Sequence, residues 1–255
     1  MAGQRHHRRR GRELVTADAH RDAELAALAA VAEAVLAELR SVASAIKALV
    51  GPAGADLYSA NLANADLAHA NLAGADLGRA NLTRTILVGA DLTRASLVGS
   101  DLRGADLTRA GLIRAKLVGA MLCGANLNGA NLVRANLYDA DLTCADLTGA
   151  ILTRADLIGA VLHDTVLTRA DLYAADLYDA DLTNADLRGA DLKDANLARV
   201  LWSGETLWPG DMASLLRDRS EELRPGVWQV TWSGNASAET EGQLLPVPSR
   251  GHEAR

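Results

Sequence analysis

Residues 125–139 read ANLNG ANLVR ANLYD, three copies of a five-residue unit with Leu at its centre, Ala two residues before it and Asn just before it. Extended in both directions, the Leu recurs at every fifth residue from Leu57 to Leu197 without a miss, giving 29 units in register. Ala stands two before each Leu except at Thr85, Ser100 and Thr165, and Asp or Asn stands just before it in 21 units. A period of five fits neither regular element. On an α-helix five residues advance about 500°, so successive leucines would walk round the axis, and on a strand they would alternate faces. The chain must therefore turn once per unit. Each unit reads as a short extended side carrying two inward residues, Ala and Leu, followed by a corner, with the other three positions facing water.

The A(D/N)LXX pattern resembles the pentapeptide-repeat family over 145 of the 255 residues. That resemblance implies an all-β solenoid, a right-handed quadrilateral parallel β-helix with four units, or 20 residues, per coil. The sequence carries its own check on the figure of four. The residue after Leu is apolar at Tyr58, Val98, Val118, Tyr138, Ile158 and Tyr178, and the next residue is Arg at Arg94, Arg114, Arg134 and Arg154. Both series fall on steps of 20. The expected rod has about seven coils and, at ~4.8 Å per stacked strand, a length of roughly 35 Å.

At 49% hydrophobic and 3% aromatic residues the chain lacks the usual aromatic core. A column of Ala and Leu replaces it, each buried Leu contributing about 2 kcal/mol before entropy is subtracted. The net charge of −6 favours solubility and says little about partners. Cys123 and Cys144 belong to one face in adjacent coils, so a disulfide is open to them, although two reduced thiols are the plainer reading. No stretch has the apolar core of a signal peptide or the length of a membrane span, and the expected location is the cytoplasm, with no membrane role. Arg outnumbers Lys 23 to 3 in an Ala-rich chain, the composition of a high-GC bacterial gene.

Residues 1–12 form a basic tail, expected to be disordered. From 13 to 50 the pattern changes: Leu25, Leu28, Ala32, Val35, Leu39, Val42, Ile46 and Leu49 alternate steps of three and four, the a and d positions of a heptad, and Gly51-Pro52 ends the helix. Such an amphipathic helix serves either as an N-terminal cap on the rod or as a coiled-coil seam. The repeat occupies 55–200. Residues 201–232 hold all four Trp residues and read as a C-terminal cap, with Trp202 in the next Leu position and Leu207 returning to register. A helix is expected over 212–223 with Leu215 and Leu216 inward, then a turn at Pro225-Gly226 and a strand from Val227 to Trp232. Residues 233–255 are polar with two prolines and read as a disordered tail.

The many Asp residues do not make a catalytic site. They hold a fixed repeat position and interchange with Asn, which a backbone role explains without chemistry. Catalysis needs a unique group with a shifted pKa in a cleft. His69 and His163 lie on different faces, and neither a phosphate-cradling loop nor a metal-ligand cluster is present. The reading is of a protein that is not an enzyme, with no catalytic residue, no cofactor and no metal.

Sorting the surface by the 20-residue period yields two candidate binding surfaces. The face of Leu57, Leu77 and Leu97 carries Tyr138, Ile158 and Tyr178 at its C-terminal end, edged by Asp139, Asp156, Asp176 and Asp179. Aromatic residues beside carboxylates on a rigid surface fit a protein partner, while β-branched and aromatic residues also suit strands and stack between coils. The face of Leu92 to Leu152 carries the ladder Arg94, Arg114, Arg134 and Arg154, which fits either an acidic partner or phosphate, or solvated arginines paired with nearby Asp.

The family resemblance further implies a target, because some members bind DNA gyrase or topoisomerase IV by imitating duplex DNA. Residues 136–200 hold 12 Asp against 5 basic residues. B-DNA of that length, about 16 Å, would carry about nine charges. Residues 55–135 hold 6 Asp against 8 basic residues, opposite in sign to DNA. Mimicry would therefore use the C-terminal half, with a homodimer through a terminal module as one arrangement and no direct nucleic-acid binding by the rod. A general interaction scaffold is the other reading.

Overall fold

The computed structural model describes residues 26–31 and 54–231. The chain divides into two compact units, Met1–Ala43 and Ser44–Arg255. In the first, residues 26–31 form a helix, α1, with Leu28 and Val31 exposed. The rest of the heptad pattern and both expected tails lie outside the described residues.

The repeat closes a coil every 20 residues. Parallel bridges run Asp56↔Asp76, Asn61↔Asn81, Asp66↔Ile86 and Asn71↔Asp91, and onward in the same step as far as Asp181↔Leu201. One unit shows why the sequence takes this path. Asn126 N–H donates to the Ala105 carbonyl (2.9 Å) in the coil before, and Leu127 and Gly129 N–H donate to the Asp146 and Thr148 carbonyls (2.7 and 3.0 Å) in the coil after. Ala130 N–H closes a turn onto the Leu127 carbonyl (2.9 Å). The one remaining donor, Asn128 N–H, is taken by the Asn126 side-chain oxygen (3.0 Å). Every N–H of the unit is thereby paired, as a chain folded this tightly requires. The preference for Asp or Asn before Leu follows directly, since both supply the same Oδ1 acceptor.

The residue two after each Leu has φ between 51° and 72° in every unit, as a turn with a left-handed third residue demands. Many of these corners carry Arg rather than Gly, at a cost of about 1 kcal/mol or more each. Where no Asp or Asn precedes Leu, the turn lacks its side-chain acceptor, as at Met121. Met121→Asn should add that acceptor without adding charge beside Asp101 and Asp141, its bridge partners. The expected gain is about 0.5–1 kcal/mol, or a few degrees in Tm. A melting temperature unchanged or lowered relative to the parent contradicts the assigned role.

The core is the Ala and Leu column. From Leu62 to Leu197 every repeat Leu is buried, as is almost every paired Ala. Leu57 departs from expectation and is half-buried, because among the described residues its coil has a neighbour on one side only. Thr85 and Thr165, standing in for Ala, bond their hydroxyls to the Leu62 and Leu142 carbonyls (2.7 and 2.8 Å). The residue after each Leu does not simply face water as the pattern predicts; it is half-buried in most units. Coils stacked ~4.8 Å apart flank each such side chain with those above and below. Cys123 and Cys144 are both free thiols.

Beyond Val200 the chain builds a three-stranded antiparallel sheet, order β1-β3-β2, from β1 (Leu201–Ser203), β2 (Ser220–Arg224) and β3 (Val227–Val230), with α2 (Met212–Arg217) between β1 and β2. Trp202 takes the Leu position as expected and is buried. Leu207 does not return to register. An extra residue in the Ser203–Thr206 turn makes the next bridge Asp186↔Leu207, which leaves Leu207 exposed and turns Trp208 inward. Thr206 fills the Ala position and bonds the Leu182 carbonyl (2.9 Å). The expected 212–223 helix also stops early. Residues 220–224 pair with β3 instead, the sheet hydrogen bonds outweighing helix propensity, and of the two leucines only Leu216 is buried. Pro225-Gly226 makes the turn, Gly226 at φ 79°. Trp202 meets Trp208 edge-on at 6.1 Å and Trp228 at 5.0 Å, and Arg217 lies 3.8 Å from the Trp228 ring centre.

Candidate functional site

The tyrosine face is positioned by the turn chemistry. Tyr138, Ile158 and Tyr178 each follow a repeat Leu, and their N–H groups are held by Asn136, Asp156 and Asp176 side chains at 3.0, 3.2 and 3.1 Å. The three side chains therefore project from a fixed backbone one coil apart, the two tyrosine rings being separated by two coils. Tyr138 and Tyr178 are exposed by 43% and 39%, and Ile158 between them is half-buried.

The four carboxylates along this column are not equivalent. Asp139 and Asp179 are corner residues and exposed, whereas Asp156 and Asp176 bridge each other and are half-buried. Asp176 also accepts from the Asn196 side-chain amide (2.8 Å). Asp139 extends over Gly159, where an added Cβ would collide with its carboxylate. Asp179 is paired with Arg199, Nε to Oδ1 at 3.1 Å, and the Arg199 guanidinium lies 5.8 Å from the Tyr178 ring centre. The hydrogen bond to Asp179 raises the Arg199 pKa. Sequence reasoning misses Arg199 as part of the site, although its place 20 residues after Asp179 puts it in the same column. The acidic end thus carries less free charge than the sequence count implies, with Asp139, Asp156 and Asp176 as its carboxylates without a cation partner among the described residues.

The arginine ladder lies at a corner, where Arg94, Arg114, Arg134 and Arg154 all have φ of 57–59° and are exposed. They line one shallow groove of about 870 Å³ whose floor includes Ile113 and Val133. The expectation that nearby Asp residues pair with them does not hold among the described residues. Rod arginines that do have partners either share a corner column with an Asp one coil away, as Arg199 does, or sit elsewhere in the unit. Arg103 and Arg188, each two residues after an Asp, grip Asp101 and Asp186 with two bonds (2.8 and 2.6 Å; 2.9 and 2.6 Å). Those hydrogen bonds hold both carboxyls below the usual carboxylate range. The ladder's corner column runs from Gly74 to Ala174 with no Asp next to any of the four arginines, whereas the corner Arg199 has Asp179 one coil before it, which explains why the ladder lacks such partners. His163 contacts Thr183 (2.8 Å) and Asp164 (3.1 Å).

No curated protein matches the chain. Matching solved structures include HetL, a pentapeptide repeat protein involved in heterocyst differentiation regulation from the cyanobacterium Nostoc sp. strain PCC 7120, at 37% identity over 57% of this chain and 79% of that chain, TM-score 0.35. A pentapeptide repeat protein of the Arabidopsis thaliana thylakoid lumen matches at 35% identity over 39% of this chain and 66% of its own, TM-score 0.29. Trypsin-treated QnrB1, a plasmid-mediated fluoroquinolone resistance protein, matches at 24% identity over 64% and 82%, TM-score 0.31. The family described as pentapeptide repeats matches in 8 copies, over residues 53–89, 85–122, 115–154, 152–184 and 175–200. More than half of the chain is covered, and the chain belongs to the pentapeptide-repeat family, whose members are in general right-handed quadrilateral β-helices.

Proposed function

We propose that this chain is a non-catalytic, protein-binding rod whose acidic tyrosine face docks a protein that otherwise holds duplex DNA, with a type II topoisomerase, DNA gyrase or topoisomerase IV, as the candidate partner. The observation that supports it is the fixed column of Tyr138, Ile158 and Tyr178 edged by Asp139, Asp156, Asp176 and Asp179. Rings supply apolar contact area with little entropy to lose, and carboxylates at the coil pitch offer charge to a surface built for phosphates. A general scaffold for another protein partner is the second reading. It is favoured by the basic excess of residues 55–135 and by the neutralising Arg199–Asp179 pair.

Purified protein titrated into gyrase and topoisomerase IV supercoiling and relaxation assays separates the two. The first reading expects inhibition that weakens about tenfold or more in the Asp156→Asn, Asp176→Asn, Asp179→Asn triple variant and becomes less salt-sensitive. Shape and turn hydrogen bonds are kept in that variant, and Arg199 is released from its partner. No effect of the parent at tens of micromolar rejects the topoisomerase partner, while an effect indifferent to the three changes keeps the partner and rejects mimicry of DNA.

A further inference from the structure

We propose that the groove carrying Arg94, Arg114, Arg134 and Arg154 is a second docking site, and that it takes an acidic segment of a partner protein in extended conformation, with a carboxylate at every second residue. The site lies on a different face from the one in the preceding proposal and does not depend on it.

Four guanidiniums stand in one column, in coils tied together by the bridges Asp91↔Gly111, Gly111↔Asn131 and Asn131↔Ile151. Among the described residues none of the four has a carboxylate partner, whereas Arg103, Arg188 and Arg199 each have one. The remaining corner arginines of the rod do not stack in consecutive coils. Arg84, Arg109 and Arg169 have their stems beside Gly104, Gly129 and Gly189 one coil on. Among the described residues, then, the ladder is where unpaired positive charge is concentrated, and like charges at the coil pitch of ~4.8 Å repel one another until an anion lies between them.

The dimensions select the ligand. The column ends at Gly74 below and Ala174 above, so the four arginines span three coil steps, or about 14 Å. In an extended strand, side chains at i, i+2 and i+4 lie on one side and span about 13–14 Å. Three carboxylates on such a strand therefore cover the span of the four guanidiniums, the outer two meeting Arg94 and Arg154 and the middle one falling between Arg114 and Arg134. Ile113 and Val133 in the floor accept apolar atoms of the same segment. A longer polyanion such as single-stranded nucleic acid fits less well. Asp171 and Asp191 continue this face beyond Arg154, and the lining residues Thr93, Ile113, Val133 and Thr153 provide no aromatic ring on which a base could stack, the one ring of that column, Tyr173, standing one coil on beside Asp171.

The test is fluorescence anisotropy with the labelled heptapeptide Val-Glu-Val-Glu-Val-Glu-Val on the full chain. Binding is expected to weaken when salt is raised from about 0.05 to about 0.3 M. It should fall about tenfold in the Arg114→Gln, Arg134→Gln double variant, and be absent for the peptide with Gln in place of Glu. Both changes are at exposed corners, and circular dichroism confirms that the variant retains the parental fold. Peptide binding that is undetectable, or equal in parent and variant, overturns the proposal. So does a single-stranded oligonucleotide that binds through the same two arginines while the peptide does not.

Discussion

Leu127→Asp should destroy several coils at once. Leu127 is fully buried, and its replacement removes a Leu from the column at a cost of about 2–5 kcal/mol. It also places a carboxylate among apolar side chains with no cation to pair it, at several kcal/mol more. Each coil contacts only its neighbours. The damage therefore spreads from this coil to the ones that stack on it. The melting transition should broaden and fall by well over 10 °C, since each kcal/mol lost lowers Tm by roughly 2–4 °C in a chain of this size. Asn128→Asp, one residue further on and half-buried at the surface, is the internal control and should melt near the parent. A circular dichroism melt of Leu127→Asp that overlays the parent would refute the inward column.

Truncation after Arg199 should make the chain aggregate. The removed segment supplies the Leu201 and Leu207 carbonyls that accept from Leu182 and Leu187 (2.8 and 2.7 Å), together with the buried Trp202 and Trp208. Without it, the last coil presents an open strand edge and an Ala and Leu surface, the combination that templates edge-to-edge association. Size-exclusion chromatography with light scattering should show loss of the monodisperse species. A truncated protein that stays monodisperse at parental yield would count against a capping role for residues 201–232.

Much of the rod can be read without coordinates, because a local rule repeated 29 times has local causes. The five-residue spacing of Leu forces one turn per unit, and the Asp or Asn before it supplies the acceptor that each turn needs. The period of 20 in the tyrosine and arginine series places both columns, since residues on one side of a regular coil must recur at the coil length. The pentapeptide resemblance then supplies the handedness.

What the sequence alone did not determine lies where one residue's role depends on another far along the chain. Whether an arginine is paired depends on its position in the turn and on its neighbours one coil away: after Leu, Arg103 and Arg188 reach back to their own Asp, while at the corner Arg94 to Arg154 have no Asp beside them in their column. Asp179 looks like free charge until Arg199, one coil on, is brought beside it. A single added residue after Ser203 exchanges the inward Leu207 for Trp208, and residues 220–224 give up a helical pattern to pair with β3. In each case a nonlocal contact outweighs local propensity, because pairing a backbone donor or burying an indole yields more than the few tenths of a kcal/mol by which propensity distinguishes helix from strand. Sequence by itself therefore determined the coil, its core and its columns, and only the tertiary structure decided which charges on those columns are left for a partner.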